Sequence, residues 1–306
     1  MTVPPFNTNT PHQDPGVPTP MPWTLSAFAD EAGPSSDAQV AACQRGNLKF
    51  IDLRGVDGHN IAVLPLDVAQ TVAKKLDAAG IGVQMFGSPI GKIDVTDDVA
   101  VDVKKLEHLG ELSKVFHCSA VRMFSYYNKT KLPKDQWKQR TLDNLKRLID
   151  VADKHNLVLY HENESEIFGD HSDDMLAMAH LRGPAFKFIY DFANYIRTGE
   201  DGWTTWQKMK STTDAFHFKD QRKDGQHMPM GDGETDAPRI IKDAAGSGWS
   251  GPVTIEPHLT HSAAVLATHV TGSGAKALKD LPPADTFQIA VEASHALLKQ
   301  AGVSYS

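Results

Sequence analysis

The chain has 306 residues, 41% of them hydrophobic, enough for one large domain or two ordinary ones with a well-filled core. Its 31 Lys and Arg against 38 Asp and Glu give a formal net charge of −7. That balance argues against partners such as nucleic acid or an anionic membrane, which need clustered cations. Cys43 and Cys118 make neither a disulfide framework nor a zinc motif, so a reducing, cytoplasmic location is the expectation.

Residues 1–22, MTVPPFNTNTPHQDPGVPTPMP, are rich in Pro, Thr and Asn and lack a basic or apolar leader region. They are expected to form a disordered tail. No stretch of the chain approaches the length of a membrane-spanning helix.

From Trp23 onward, short apolar runs alternate with helical periodicities. The runs are TLSAFAD (24–30), KFIDLR (49–54), IGVQMFG (81–87), AVRMFSY (120–126), LVLYHE (157–162), FKFIYDF (186–192), DAFHFKD (214–220) and PVTIEP (252–257). Most are continuously apolar, as parallel strands covered on both faces should be. Between them, Asp67 reads as the N-cap of a helix ending at Gly80. Pro133 opens another helix, with Leu142, Leu145, Ile149 and Ala152 on one stripe, and a last helix runs from Thr286 to Gln300. The segment 259–283 has room for a short helix and a Gly/Ser turn, within what reads as a flexible loop.

Eight βα units predict an α/β fold, a single-domain (β/α)₈ TIM barrel over residues 23–306. A doubly wound open sheet is the alternative, disfavoured by the lack of a GxGxxG after the first strand and of a P-loop. In a barrel the chemistry sits at the C-terminal strand ends. Four successive strands end there in metal-ligand types: Glu162, Asp191, His217 and Glu256.

Alternation along each strand supports the set. An inward Glu162 brings Tyr160 and Val158 inward, Glu256 brings Thr254, and Asp191 brings Ile189 and, less comfortably, Lys187. Three carboxylates and one imidazole at one mouth would repel and shift their pKa values unless a cation balances them. An oxygen-rich set with one nitrogen suits one divalent ion, Mn²⁺ first, with Mg²⁺ or Co²⁺ as alternatives. Such a site stabilises an enediolate, with Glu162 and Glu256 flanking a sugar as base and acid.

At these residues the chain resembles the sugar phosphate isomerase/epimerase family of xylose isomerase-like TIM barrels. The resemblance runs from about Trp23 to the C-terminus and rests on ADEAG (29–33), IDLRGVDGHNI (51–61), GSPIGK (87–92), VRMFSYY (121–127), HENE (161–164), YDFANY (190–195), HFKD (217–220) and IEPHL (255–259). It implies that Glu162, Asp191, His217 and Glu256 bind one divalent metal, and that the two glutamates are the acid/base pair. The implied activity is a metal-dependent isomerisation or epimerisation in carbohydrate metabolism. Lys219 belongs to the same H-x-K-D motif and is expected to meet a substrate oxygen, or else to pair with Asp220 or another carboxylate.

Ketose 3-epimerases place a substrate-binding His three residues after the strand-six Asp, where this chain has Asn194, and their Arg after strand seven has no secure match. Arg54, Lys92 and His227 are further candidate substrate contacts, with an ion pair to Asp30, Glu31 or Asp52 the competing role for Arg54. His161, out of phase with Glu162, is expected to pack or cap. A lyase or dehydratase acting on a keto-sugar, inosose or keto-glycoside would begin with the same proton abstraction, and a non-catalytic sugar-binding barrel is a weaker reading. An abasic-site endonuclease of the same superfamily is disfavoured, because strands three and four end in FGSP and FSYY, without histidine. The expected partner is a small carbohydrate, with a homodimer left open.

Overall fold

The structure, a computed structural model, describes residues 23–259, 278 and 280–306. The expected N-terminal tail and most of the expected 259–283 loop lie outside the described residues. Eight strands form the central sheet: β1 (Thr24–Ala27), β2 (Phe50–Leu53), β3 (Gly82–Phe86), β4 (Ala120–Met123), β5 (Val158–Glu162), β6 (Phe186–Asp191), β7 (Ala215–Phe218) and β8 (Pro252–Ile255). Each lies inside one of the eight apolar runs read from the sequence.

The strands pair in the order β1-β8-β7-β6-β5-β4-β3-β2, parallel at every paired edge. A doubly wound sheet would reverse direction at a switch point; this order runs round without reversal. The two ends meet through side chains, Ser26 Oγ of β1 donating to Asp52 Oδ1 of β2 at 2.7 Å. The result is a nearly closed TIM barrel.

Helices α1 (Ser36–Arg45), α2 (Leu66–Ala79), α3 (Ala100–Phe116) and α4 (Lys134–Lys154) follow the first four strands. After β5 comes the short α5 (Ser172–Ala177), after β6 come α6 (Phe192–Arg197) and α7 (Gly202–Met209), after β7 comes α8 (Ala237–Gly246), and α9 (Pro283–Gln300) follows β8. Asp67 is not the N-cap expected: α2 begins two residues earlier than that, at Leu66 after Pro65, and Asp67 sits in its first turn, where a negative charge suits the helix dipole. Gly80 does end the helix, at φ +68°, a left-handed conformation open to glycine.

Two apolar layers follow from strand alternation. Inside the barrel, Met85, Tyr160, Ile189 and Ala215 pack together, with Ala120 and Val158 against them. Lys187, the awkward member of the inward set, is registered beside Tyr160 and places its ammonium 5.6 Å from that ring's centroid, a cation–π contact. Outside, Phe216 faces the helices, its ring 4.5 Å from Trp249, 5.4 Å from Phe192 and 5.6 Å from Trp206. Successive residues of a strand face opposite ways, so anchoring Phe216 outward aims His217 into the barrel.

Phe216→Ala is therefore expected to cost about 3–5 kcal/mol, the range for emptying a large buried aromatic site. Urea unfolding of the two proteins measures it; a loss below about 1 kcal/mol would contradict the anchoring role.

Candidate metal centre

The four strand-end residues converge. Glu162 closes β5, Asp191 closes β6, His217 is within β7 and Glu256 follows β8; all are buried. One ligand atom from each can be chosen so that all four lie within 4.8 Å of one another. His217 Nδ1 sits between two carboxylates, 3.1 Å from Glu162 Oε1 and 3.2 Å from Glu256 Oε2. Residues of opposite phase face the other way: His161 is buried against Phe186 and Phe188, ring centroids 6.2 and 6.0 Å away, the packing role expected of it.

Asparagines set the strand ends. Asn163 Oδ1 accepts from the Asp191 backbone N–H at 2.8 Å and its Nδ2 donates to the Asp191 carbonyl at 3.1 Å. This amide extends the β5–β6 ladder by one rung. Asn194 Nδ2 donates to the Asn163 carbonyl at 2.8 Å, and Asp191 Oδ1 caps α6 by accepting from the Asn194 backbone N–H at 2.8 Å. Asp191 Oδ2 is the oxygen left for the site. Asn194, expected to touch substrate, has its amide nitrogen committed to this brace and only Oδ1 without a partner.

Three cations face the acids. Lys219 Nζ is 2.9 Å from Asp191 Oδ2 and 3.6 Å from Glu256 Oε2. Its partner is thus Asp191 and not the adjacent Asp220. Asp220 instead holds the loop before α8, accepting from the Gly231 and Gly233 N–H groups and from Thr235 Oγ1. Arg54 grips Asp30 with two bonds of 3.0 and 2.9 Å, lies 3.3 Å from Glu31 Oε1, and donates from Nη1 to Glu256 Oε1 at 2.9 Å. Of the ion pairs proposed for it, Asp30 and Glu31 form and Asp52 does not, because Asp52 accepts from Ser26 and Thr254, both at 2.7 Å.

The third cation, Arg122 of β4, reaches Glu162 Oε2 at 3.3 Å and Glu256 Oε1 at 3.5 Å. It was missed from sequence, although the signal existed: a charge in an apolar strand, two positions from an inward-facing Ala120. Lys92 is at the rim, half-buried, 3.2 Å from Glu164 Oε2 and 4.2 Å from the centroid of the Phe124 ring. Its loop is tied to the neighbouring one through Gly91, at φ +85°, where a side chain would collide with the Phe124 carbonyl. His227 is buried on a two-strand hairpin, Asp220–Gln221 with His227–Met228, beside His258.

Charge and burial set the protonation pattern. Burial opposes an imidazolium at His217, but Glu162 and Glu256 outweigh it and hold its pKa up at about 9. Burial also pushes Asp191 up, against Lys219 and with help from Glu162 and Glu256, to about 7. For Glu256, Lys219, His217, His258 and Arg122 overcome burial and hold the carboxyl well below its usual range. Glu162 is lowered against burial by His217 and Arg122. At neutral pH the His217 proton thus stands where a positive charge is needed. It must leave before the ring can ligate a metal.

The residues fit a divalent cation. Among the described residues Glu162 Oε2 and Asp191 Oδ2 are buried without a directed hydrogen bond, their ionic neighbours, Arg122 and Lys219, being close but misaligned. Such orphaned atoms are costly unless a ligand completes them. Three carboxylate oxygens and one imidazole nitrogen form a hard, oxygen-rich set.

The family model described as xylose isomerase-like TIM barrel matches residues 40–281. No curated protein matches the sequence. Among solved structures, the fold is shared with the probable 3-DHS dehydratase AsbF of Bacillus anthracis, at 15% identity and TM-score 0.67 over 90% of this chain and 99% of that one. It is shared with the D-psicose 3-epimerase of Clostridium cellulolyticum H10, solved with D-tagatose, at 13% identity and TM-score 0.69 over 90% and 99%. An IolI protein with a bound zinc atom superposes at 12% identity and TM-score 0.69 over 91% and 98%. Identities this low speak to fold alone. The extent of the family match assigns the chain itself: it belongs to the xylose isomerase-like TIM barrel family.

Proposed function

We propose that the protein is a divalent-metal-dependent enzyme that abstracts a proton α to the carbonyl of a sugar and returns it, as an isomerase or epimerase. The observation that carries this reading is the placement of two buried glutamates, Glu162 and Glu256, on one imidazole nitrogen at 3.1 and 3.2 Å. Glu162, Asp191, His217 and Glu256 would hold the ion, Mn²⁺ first, with Mg²⁺ or Co²⁺ as alternatives. A divalent ion there supplies Lewis-acid stabilisation of the oxyanion that develops as the α-proton leaves.

The chain's own groups do the rest. One of the two glutamates accepts the α-proton, and the C–H electron pair enters the carbonyl to give an enediolate. The proton then returns to the same carbon for epimerisation, or to the former carbonyl carbon for isomerisation, in which case the hydroxyl proton also passes to the neighbouring oxygen. Arg122 spans both glutamates and keeps each ionised and ready to accept. Lys219 presents an ammonium to a substrate oxygen. Arg54 fixes Glu256 from the side of β2, and Lys92, Asn194 and His227 are the remaining proposed contacts. Burial of the acids excludes water, which strengthens every charge interaction at the site.

A second reading shares the first step. In it Lys219, whose ammonium lies 3.6 Å from Glu256 Oε2, would protonate a departing β-oxygen, which would make the protein a dehydratase or other lyase acting on a keto-sugar, inosose or keto-glycoside.

Protein stripped by chelator is expected to bind one divalent ion per chain by titration calorimetry. Asp191→Asn and Glu162→Gln should weaken binding by more than the roughly 10–100-fold typical of losing an outer partner. Wild-type protein that binds no divalent ion would sink this reading.

A panel of free ketoses, inososes, keto-glycosides and sugar phosphates in deuterated water tests the chemistry. With metal saturating, Glu256→Gln should slow α-proton exchange by about 10²–10⁴-fold, the usual contribution of a general acid–base group. Exchange at the wild-type rate would remove Glu256 from the mechanism. Exchange with no water or leaving group released marks the isomerase; release marks the lyase.

A further inference from the structure

Two phenylalanines at the mouth are buried where the chemistry is polar. Phe28 follows β1 and Phe124 follows β4, and their exposures are 0% and 1%. A ring so deeply buried ordinarily joins an apolar core. Among the described residues, neither belongs to the inner or the outer apolar cluster of the barrel. Their neighbours are charged.

The Phe28 ring centroid is 4.7 Å from the Arg54 guanidinium carbon and 4.8 Å from that of Arg122. The Phe124 centroid is 5.0 Å from the same Arg122 carbon and 4.2 Å from the Lys92 ammonium. Arg54, Phe28, Arg122, Phe124 and Lys92 thus make one chain of contacts in which cations alternate with rings. The backbone fixes both rings. The Phe28 N–H donates to the Ile255 carbonyl at 3.0 Å, and the Phe124 N–H to the Ile90 carbonyl at 2.8 Å. Gly87 leaves the room needed, since a side chain there would collide with the Phe28 ring.

Arg122 is the cation that depends most on these rings. Its Nη1 is 3.3 Å from Glu162 Oε2 and 3.5 Å from Glu256 Oε1, its Nη2 donates to the Gly87 carbonyl at 3.3 Å, and its Nε has no partner. Arg54, by contrast, is tied to Asp30 and Glu256 by bonds of 2.9 and 3.0 Å. Hydrogen bonds this long do not fix a guanidinium. A ring face attracts the cation through its quadrupole and accepts no strong hydrogen bond. It can therefore hold Arg122 without drawing the N–H groups away from the glutamates.

We propose that Phe28 and Phe124 are positioning residues for the acid–base pair: together they keep Arg122 within reach of both Glu162 and Glu256, and they affect the reaction only through it. The consequence for catalysis rests on the isomerase reading above; the positioning itself stands on the two rings.

The test compares wild type, Phe28→Leu, Phe124→Leu and Phe124→Tyr as whole proteins with Mn²⁺, by crystal structure and by α-proton exchange in deuterated water. Leucine keeps an apolar side chain without the ring, and tyrosine keeps the ring. Each leucine variant is expected to retain the fold while the Arg122 guanidinium moves out of ion-pair reach of at least one glutamate. Its kcat for exchange should fall about tenfold, the scale of one desolvated cation–π contact, with KM little changed. Phe124→Tyr should restore both the guanidinium position and most of the rate. Adding Phe124→Leu to Arg122→Gln should slow exchange no further, whereas a general packing role would lower the rate again. Arg122 unmoved in the leucine variants, wild-type exchange with Arg122 displaced, or a further loss in the double variant would each overturn the proposal. Arg122 displaced by leucine in a protein whose wild type exchanges no sugar proton would sustain the positioning while removing the isomerase reading.

Discussion

Everything at the mouth of this barrel follows from one electrostatic constraint: Glu162, Asp191 and Glu256 are buried within reach of one another. Carboxylates do not stay ionised in such a place without positive charge beside them. The protein meets the constraint with Arg54, Arg122, Lys219 and a protonated His217. Three of these charges are permanent at neutral pH, whereas the fourth is a proton on a nitrogen that is itself a potential ligand. The replaceable charge thus sits within the candidate ligand set, a property that suits a metal centre.

The barrel makes such crowding tolerable by over-determining each side chain. Phe216, wedged among Trp249, Phe192 and Trp206, leaves His217 no freedom to face outward. Asn163 and Asn194 hold Asp191 by its backbone and by one carboxylate oxygen, freeing the other. At the β1–β2 seam, Ser26, Asp52 and Thr254 form a buried polar chain. Burial pushes the Asp52 carboxyl up to about 6 even so, against the bonds from those two hydroxyls. Packing and hydrogen bonds together fix these side chains, so the candidate site is built on a rigid frame.

The strands were legible because parallel strands buried on both faces read as unbroken apolar runs. The four acids and bases at their ends were legible only as a set, because they fall at equivalent places on successive strands; each alone would read as an ordinary loop residue. Glu164 and Glu166, so near Glu162 in the chain, separate from it: the first pairs with Lys92 and Arg197, and the second is exposed. What sequence could not carry was partnership across the barrel. Arg122 belongs to β4 and its partners to β5 and the end of β8, and nothing local joins them. Lys219 was placed correctly but its partner, Asp191, is on the neighbouring strand and not at the next residue. Asn194 stands where ketose 3-epimerases have a histidine, but the sequence did not show that its amide nitrogen is used to brace the Asn163 carbonyl. Asp67 misled because a capping residue type within the first turn of a helix has the same local signature as a cap.

The most direct measurement of the central claim is the anomalous scattering map of crystals grown with Mn²⁺. The account predicts a single strong peak enclosed by Glu162, Asp191, His217 and Glu256, with Lys219 displaced from or sharing Asp191 and the His217 ring ligating through a bare nitrogen. A peak elsewhere, or none with His217 still clasped between the two glutamates, would contradict it.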